Sequence, residues 1–163
     1  MVAIALNPEQ VLEWLSEVAD PEIPVLTIAD LGILRDVRIG EEVVVDLTPT
    51  YSGCPATEVI EQSVVDALHH QGIENARINR VLSPPWTTDW ISAEGREKLR
   101  EYGIAPPAEG GSKRALLHGT RSIACPRCGS TDTAVVSEFG STACKASYKC
   151  IDCLEPFEYF KCI

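Results

Sequence analysis

Six of the seven cysteines of this 163-residue chain fall between positions 125 and 162, and Cys54 stands alone far upstream. Within the cluster, Cys125-Pro-Arg-Cys128-Gly and Cys150-Ile-Asp-Cys153 are two CxxC pairs with 21 residues between them. That interval is just longer than the roughly 15 to 20 of a common four-thiolate zinc site, and it fits two turns facing each other across a hairpin. Each turn brings two sulfurs to one side of an ion, and four thiolates suit a soft divalent cation in a tetrahedron. The expectation is a structural zinc ribbon held by Cys125, Cys128, Cys150 and Cys153.

A disulfide framework belongs to oxidising compartments. The first residues, Met1-Val-Ala-Ile-Ala-Leu6, lack the basic flank and long apolar core of a secretion signal, so a cytoplasmic protein with reduced thiols is expected. A redox CxxC or an iron-sulfur site remains an alternative, because spacing does not choose the ion. Cys144 and Cys162 are additional thiol candidates: Cys144 follows Cys128 with 15 residues between them, yet only Cys150 and Cys153 repeat the first turn. Both are expected as small buried thiols, with a transient second metal or redox position as the alternative.

The length suits a domain of about 90 residues plus a small module. Residues 1–92 carry 4 basic and 15 acidic side chains, residues 93–118 carry 5 and 4, and residues 119–163 carry 5 and 5. Nucleic-acid binding draws on Lys and Arg neutralising phosphates, so the acidic first region argues against it. No segment reaches the roughly 18 apolar residues of a membrane helix, and no repeat stands out.

Asn7-Pro8-Glu9-Gln10 predicts a helix start, with Val11, Leu12, Leu15 and Val18 as its stripe and Asp20-Pro21 as its stop. Ile33–Ile39 and Val43–Thr48 read as a hairpin around Gly40-Glu-Glu42. Pro55 opens a second helix with Val59, Ile60, Val64, Ala67 and Leu68 on one face, and Ala76–Leu82 reads as a third strand. The order predicts an α+β fold: a small two-layer domain, helices on a short sheet, over 1–92, followed by a C-terminal zinc ribbon over 119–163. Between them, 93–118 reads as a short helix, Ser92–Tyr102, and a linker from Ala105 to Ser112 rich in Pro and Gly.

At a helix start, free amides and the helix dipole favour a thiolate, which makes Cys54 a candidate nucleophile or soft-metal ligand. A thiol hydrolase also needs a base, and His69, His70 and His118 are placed far from it in the predicted order. Asp20, Glu22 and Asp30 read as turn residues, with hard oxygen ligation beside Cys54 as the alternative. No phosphate loop, serine elbow, dinucleotide fingerprint or paired catalytic carboxylates occur, so a stand-alone enzyme is not expected.

Asp20-Pro-Glu-Ile-Pro24, Asp30-Leu-Gly32, Leu47-Thr-Pro-Thr50 and Gly53-Cys-Pro55 together resemble the small domain of SufT-type and cytosolic iron-sulfur assembly factors. Pro84-Pro-Trp-Thr-Thr-Asp-Trp-Ile91, Tyr102-Gly-Ile-Ala-Pro-Pro107, Cys125-Pro-Arg-Cys-Gly-Ser130, Phe139-Gly-Ser-Thr-Ala-Cys-Lys145 and Glu155-Pro-Phe157 extend the resemblance to the PaaD family over nearly the whole chain. The resemblance implies a non-catalytic accessory protein of the phenylacetyl-CoA epoxidase system, in which a di-iron oxygenase is fed by a reductase carrying flavin and a two-iron cluster. It implies help in installing an iron-sulfur cluster, with the reductase or oxygenase component as partner. Cys54 is the main implied cluster-handling residue, with Asp20 and Glu22 as its neighbours. Cys54 or the spare Cys144 and Cys162 are the candidates for holding a cluster, and one or two thiols per chain would suit a cluster shared across a homodimer or with the partner. The alternative is an adaptor whose ribbon docks epoxidase components without handling metal.

Overall fold

The computed structural model describes residues 6–108 and 122–161. His118, Cys162, the second half of the expected linker (109–112) and the first five residues, Met1–Ala5, lie outside the described residues. The chain is α+β and divides into two compact units between Trp86 and Thr87.

In the first unit the order is α1 (Pro8–Leu15), β1 (Leu34–Ile39), β2 (Val43–Leu47), α2 (Ala56–His70) and β3 (Ala76–Arg80). Asn7 caps α1 by accepting the Gln10 amide at 2.8 Å, and Pro8 sits where its missing N–H costs nothing. The helix stops at Leu15, short of the expected Asp20-Pro21. Ser16 folds its hydroxyl back onto the Glu13 carbonyl at 2.7 Å, and Val18 turns away to accept from the Ile28 amide at 2.9 Å.

β2 is the middle strand, antiparallel to β1 and parallel to β3. A parallel neighbour cannot be reached by a tight turn, so α2 is the crossover between β2 and β3. All five β2 residues are buried, Asp46 among them. Ala56, Ile60, Val64 and Leu68 of α2 recur every four residues and are buried with Val11 and Leu15 of α1. Val59 does not belong to this stripe: it lies one residue round the helix from Ile60 and is 51% exposed. Asp46 is tolerated because Arg38 donates to it at 2.8 Å and Asn79 at 2.7 Å. Burial pushes its carboxyl pKa up, but those hydrogen bonds outweigh burial and hold it below the ordinary range.

The second unit opens with a 3-10 turn, Thr88–Trp90, and α3 (Ala93–Glu101), whose N-cap Ser92 accepts the Gly95 amide at 2.9 Å. The buried Arg96 donates to the carbonyls of Thr88 and Pro107, tying turn, helix and the following segment together. β4 (Ile104–Ala105), β5 (Thr133–Ser137), β6 (Lys145–Cys150) and β7 (Pro156–Phe160) form one sheet in the order β4-β7-β6-β5. β4 runs parallel to β7, so residues expected at the edge of a linker complete the ribbon's sheet. At the β5–β6 turn, buried Lys145 donates to Glu158 at 2.8 Å, and the same carboxylate accepts the Ser141 amide at 2.6 Å. No described helix is long and apolar enough to cross a membrane.

Candidate functional site

The two CxxC turns are built alike. Cys125 donates its amide to the Ser130 carbonyl at 2.8 Å, and Gly129 returns to the Cys125 carbonyl at 2.9 Å. In the second turn Cys150 donates to the Glu155 carbonyl at 2.9 Å, and the Cys153 amide points at the Cys150 sulfur at 3.5 Å. β6 delivers Cys150 from its last residue, and its pairing with β5, Thr133 opposite Cys150, sets the second turn against the first.

Cys125, Cys128, Cys150 and Cys153 therefore converge, with all four sulfurs within 4.8 Å of one another. The Cys125–Cys153 separation is 3.7 Å and the Cys128–Cys150 separation 3.6 Å. A tetrahedral ion with metal–sulfur bonds of about 2.3 Å needs its sulfurs about 3.8 Å apart, so the donor set fits a four-thiolate metal site with no open position. Without a cation the thiols compete for protons. The Cys153 amide helps lower Cys150 to about 7, whereas at Cys128 the Ser130 amide is outweighed by neighbouring sulfurs and desolvation, which push it up to about 12. A bound cation resolves that conflict by favouring four thiolates at once.

The turns are also laced to each other. Arg127, inside the first, pairs with Glu155 just beyond the second, and Ser130 donates to Asp152 inside the second. Arg127 and Asp152 were legible as turn residues in the sequence, but their partners were not, because both pairings cross more than twenty positions. Cys144 is buried at the head of β6 with its sulfur 3.0 Å from the Thr142 hydroxyl, outside the quartet.

Cys54 lies immediately before Pro55, the N-cap of α2. The turn that carries it is closed by Cys54 donating to the Tyr51 carbonyl at 3.3 Å and accepting from the Thr57 amide at 3.1 Å. Gly53 precedes it at φ +85, a left-handed conformation that a side chain would strain. Half-buried, Cys54 lines a concavity of about 440 Å³ together with Tyr51, Glu58, Arg80 and Leu82. Arg80 is held by a two-pronged ion pair with Glu61. Among the described residues no histidine lines this concavity; His69 and His70 are exposed at the far end of α2.

Asp20 and Glu22 are not among the lining residues. Asp20 is buried and accepts the amides of Glu22 at 2.9 Å and Ile23 at 2.7 Å, and Asp30 accepts the Thr27 amide at 3.0 Å, so both acids shape the loop after α1. Among the described residues the cysteine quartet is the one group of three or more potential metal ligands.

Residues 8–79 match the family model described as iron-sulfur cluster assembly protein, and residues 109–161 match the PaaD zinc beta ribbon domain. A protein of Escherichia coli (strain K12), provisionally named as the D component of 1,2-phenylacetyl-CoA epoxidase, is 54% identical over 97% of this chain and 96% of its own length. The Fe-S protein maturation auxiliary factor SufT of Staphylococcus aureus (strain USA300) is 37% identical over 46% of this chain and 88% of its own. A crystal structure of a domain of unknown function, DUF59, from Bacillus anthracis matches with a TM-score of 0.52 at 29% identity, covering 56% of this chain and 90% of that one. With identity of this level running through both the assembly-type domain and the ribbon, the chain belongs to the PaaD family.

Proposed function

We propose that this protein is a non-catalytic accessory factor of the phenylacetyl-CoA epoxidase system that assists assembly or delivery of an iron-sulfur cluster to the reductase component. The observation that carries the reading is the position of Cys54, half-buried in an open concavity at the entry to α2 within a domain of the iron-sulfur assembly family. Full-length similarity to the Escherichia coli epoxidase component supports the choice of system. In this reading Cys54 supplies a labile thiolate to the cluster, and Asp20 and Glu22 act through the loop they shape. The quartet holds zinc as a structural ion, because four thiolates around one cation leave no position for exchange chemistry. The protein works in the cytoplasm, where its thiols stay reduced.

The test is Cys54→Ser with both partner and metal measured. The variant is expected to keep its fold and one zinc per chain while the cluster content of a co-expressed reductase falls; an unchanged cluster content overturns the proposal. A second reading, a docking adaptor, is favoured by the closed geometry of the quartet. It predicts that Cys150→Ser with Cys153→Ser abolishes docking and that Cys54 is dispensable.

A further inference from the structure

The residue after each CxxC turn has a left-handed backbone. After Cys128 it is Gly129, at φ +76, where glycine carries no steric penalty. After Cys153 it is Leu154, at φ 62, the one non-glycine among the described residues with positive φ. The turn thus demands a conformation disfavoured for an L side chain, and in the second copy the side chain is retained. Burial does not compensate: Leu154 is 62% exposed, and Ile151, three residues earlier in the same turn, is 47% exposed. Backbone strain kept at a surface position points to a use for the side chain outside the fold.

The electrostatics of the tip narrow what covers it. Four thiolates around a divalent ion carry a net charge of about −2. Asp152 adds to this, Lys149 offsets part of it, and Arg127 is already paired with Glu155. The side chains of residues 119–163 balance at 5 basic and 5 acidic, so the charge of the thiolate group itself is what the tip presents. A second copy would bring like charge against like charge, whereas an apolar socket rimmed by Lys and Arg gains from both the leucine and the field.

We propose that Ile151 and Leu154 form a docking tip that enters an apolar socket, rimmed by basic side chains, on a protein component of the epoxidase system. This rests on the reading above that the chain serves that system. The experiment uses the full-length, metal-loaded chain and the purified oxygenase and reductase components, comparing wild type with Leu154→Gly and Ile151→Ser. Leu154→Gly relieves the backbone, so it is expected to melt no lower than wild type and to keep its metal, while binding weakens by roughly tenfold or more. Ile151→Ser is expected to weaken binding in the same direction, and wild-type binding to fall with added salt.

Binding unchanged in both variants overturns the proposal. So does a fall in melting temperature and metal content that accompanies the loss, which assigns Leu154 to the fold. Loss of self-association, read by sedimentation, with component binding intact makes a second copy the occupant and likewise overturns it. If the wild type itself binds neither component, the reading of the partner system fails along with this one; wild-type binding that the variants leave intact removes the docking tip alone.

Discussion

Val45, Val64 and Leu68 of the first unit are fully buried aliphatic side chains that contribute only by leaving water. The ribbon's core cluster instead includes Cys125 and Cys150, packed with Ala105, Ile123, Phe157 and Tyr159. The same two cysteines belong to the core and to the four-thiol group that fits a metal, so in the proposed reading the ribbon's packing and its ligation stand or fall together. The first unit is held by two helices on a sheet, and among its described residues no group of three or more potential metal ligands occurs. The difference teaches that one chain can carry two stabilities set by different variables, apolar area in one and metal activity in the other.

The largest expected effect breaks the pair apart. Ligation of this kind is worth on the order of 10 to 16 kcal/mol of apparent free energy, so a strong chelator is expected to unfold the ribbon while the first unit keeps its helical circular dichroism and its own melting transition. One shared transition across a chelator titration would refute the separation. Next, Leu68→Ala removes a fully buried side chain from α2 and is expected to cost about 2–5 kcal/mol, read by urea unfolding, with metal content unchanged. Metal loss in that variant would mean that the two stabilities are coupled.

The smallest effect sharpens the comparison through pH. Asp46→Ala deletes a carboxylate held by Arg38 and Asn79 and is expected to cost about 1.5–3 kcal/mol at neutral pH. Because the folded-state pKa of Asp46 is lowered, its contribution is complete above the ordinary aspartate value of about 4 and is lost as pH falls below it. Wild type and variant should therefore converge in stability under strong acid. A difference that persists there would assign the loss to packing instead of charge.

Much of this was legible in the residues. Asn7-Pro8 announces α1, Gly40-Glu-Glu42 the hairpin, and the CxxC pairs a quartet, because each is a local pattern with a local cause. The misplacements have tertiary causes. Val59 looks like part of a stripe until α1 and the sheet choose which face of α2 to cover. β4 is two residues long and is a strand only because β7, some fifty positions later, pairs with it. Asp46 lies inside the expected strand Val43–Thr48, and the strand pattern does not reveal that Arg38 and Asn79 both bond to it. At the site, spacing grouped Cys125, Cys128, Cys150 and Cys153, whose sulfurs do converge, but it held no signal for the cross-turn pairing of Arg127 with Glu155.

The division of the quartet between two turns also sets an order of manufacture. Cys125 and Cys128 leave the ribosome first, and 22 positions separate Cys128 from Cys150. At roughly 5–20 residues per second, the newborn chain presents a bare dithiol for about one to four seconds before the other half of the cage exists. β4 waits longer still for β7, so during synthesis the assembly-type domain is complete while the ribbon is an open, oxidisable pair of sulfurs.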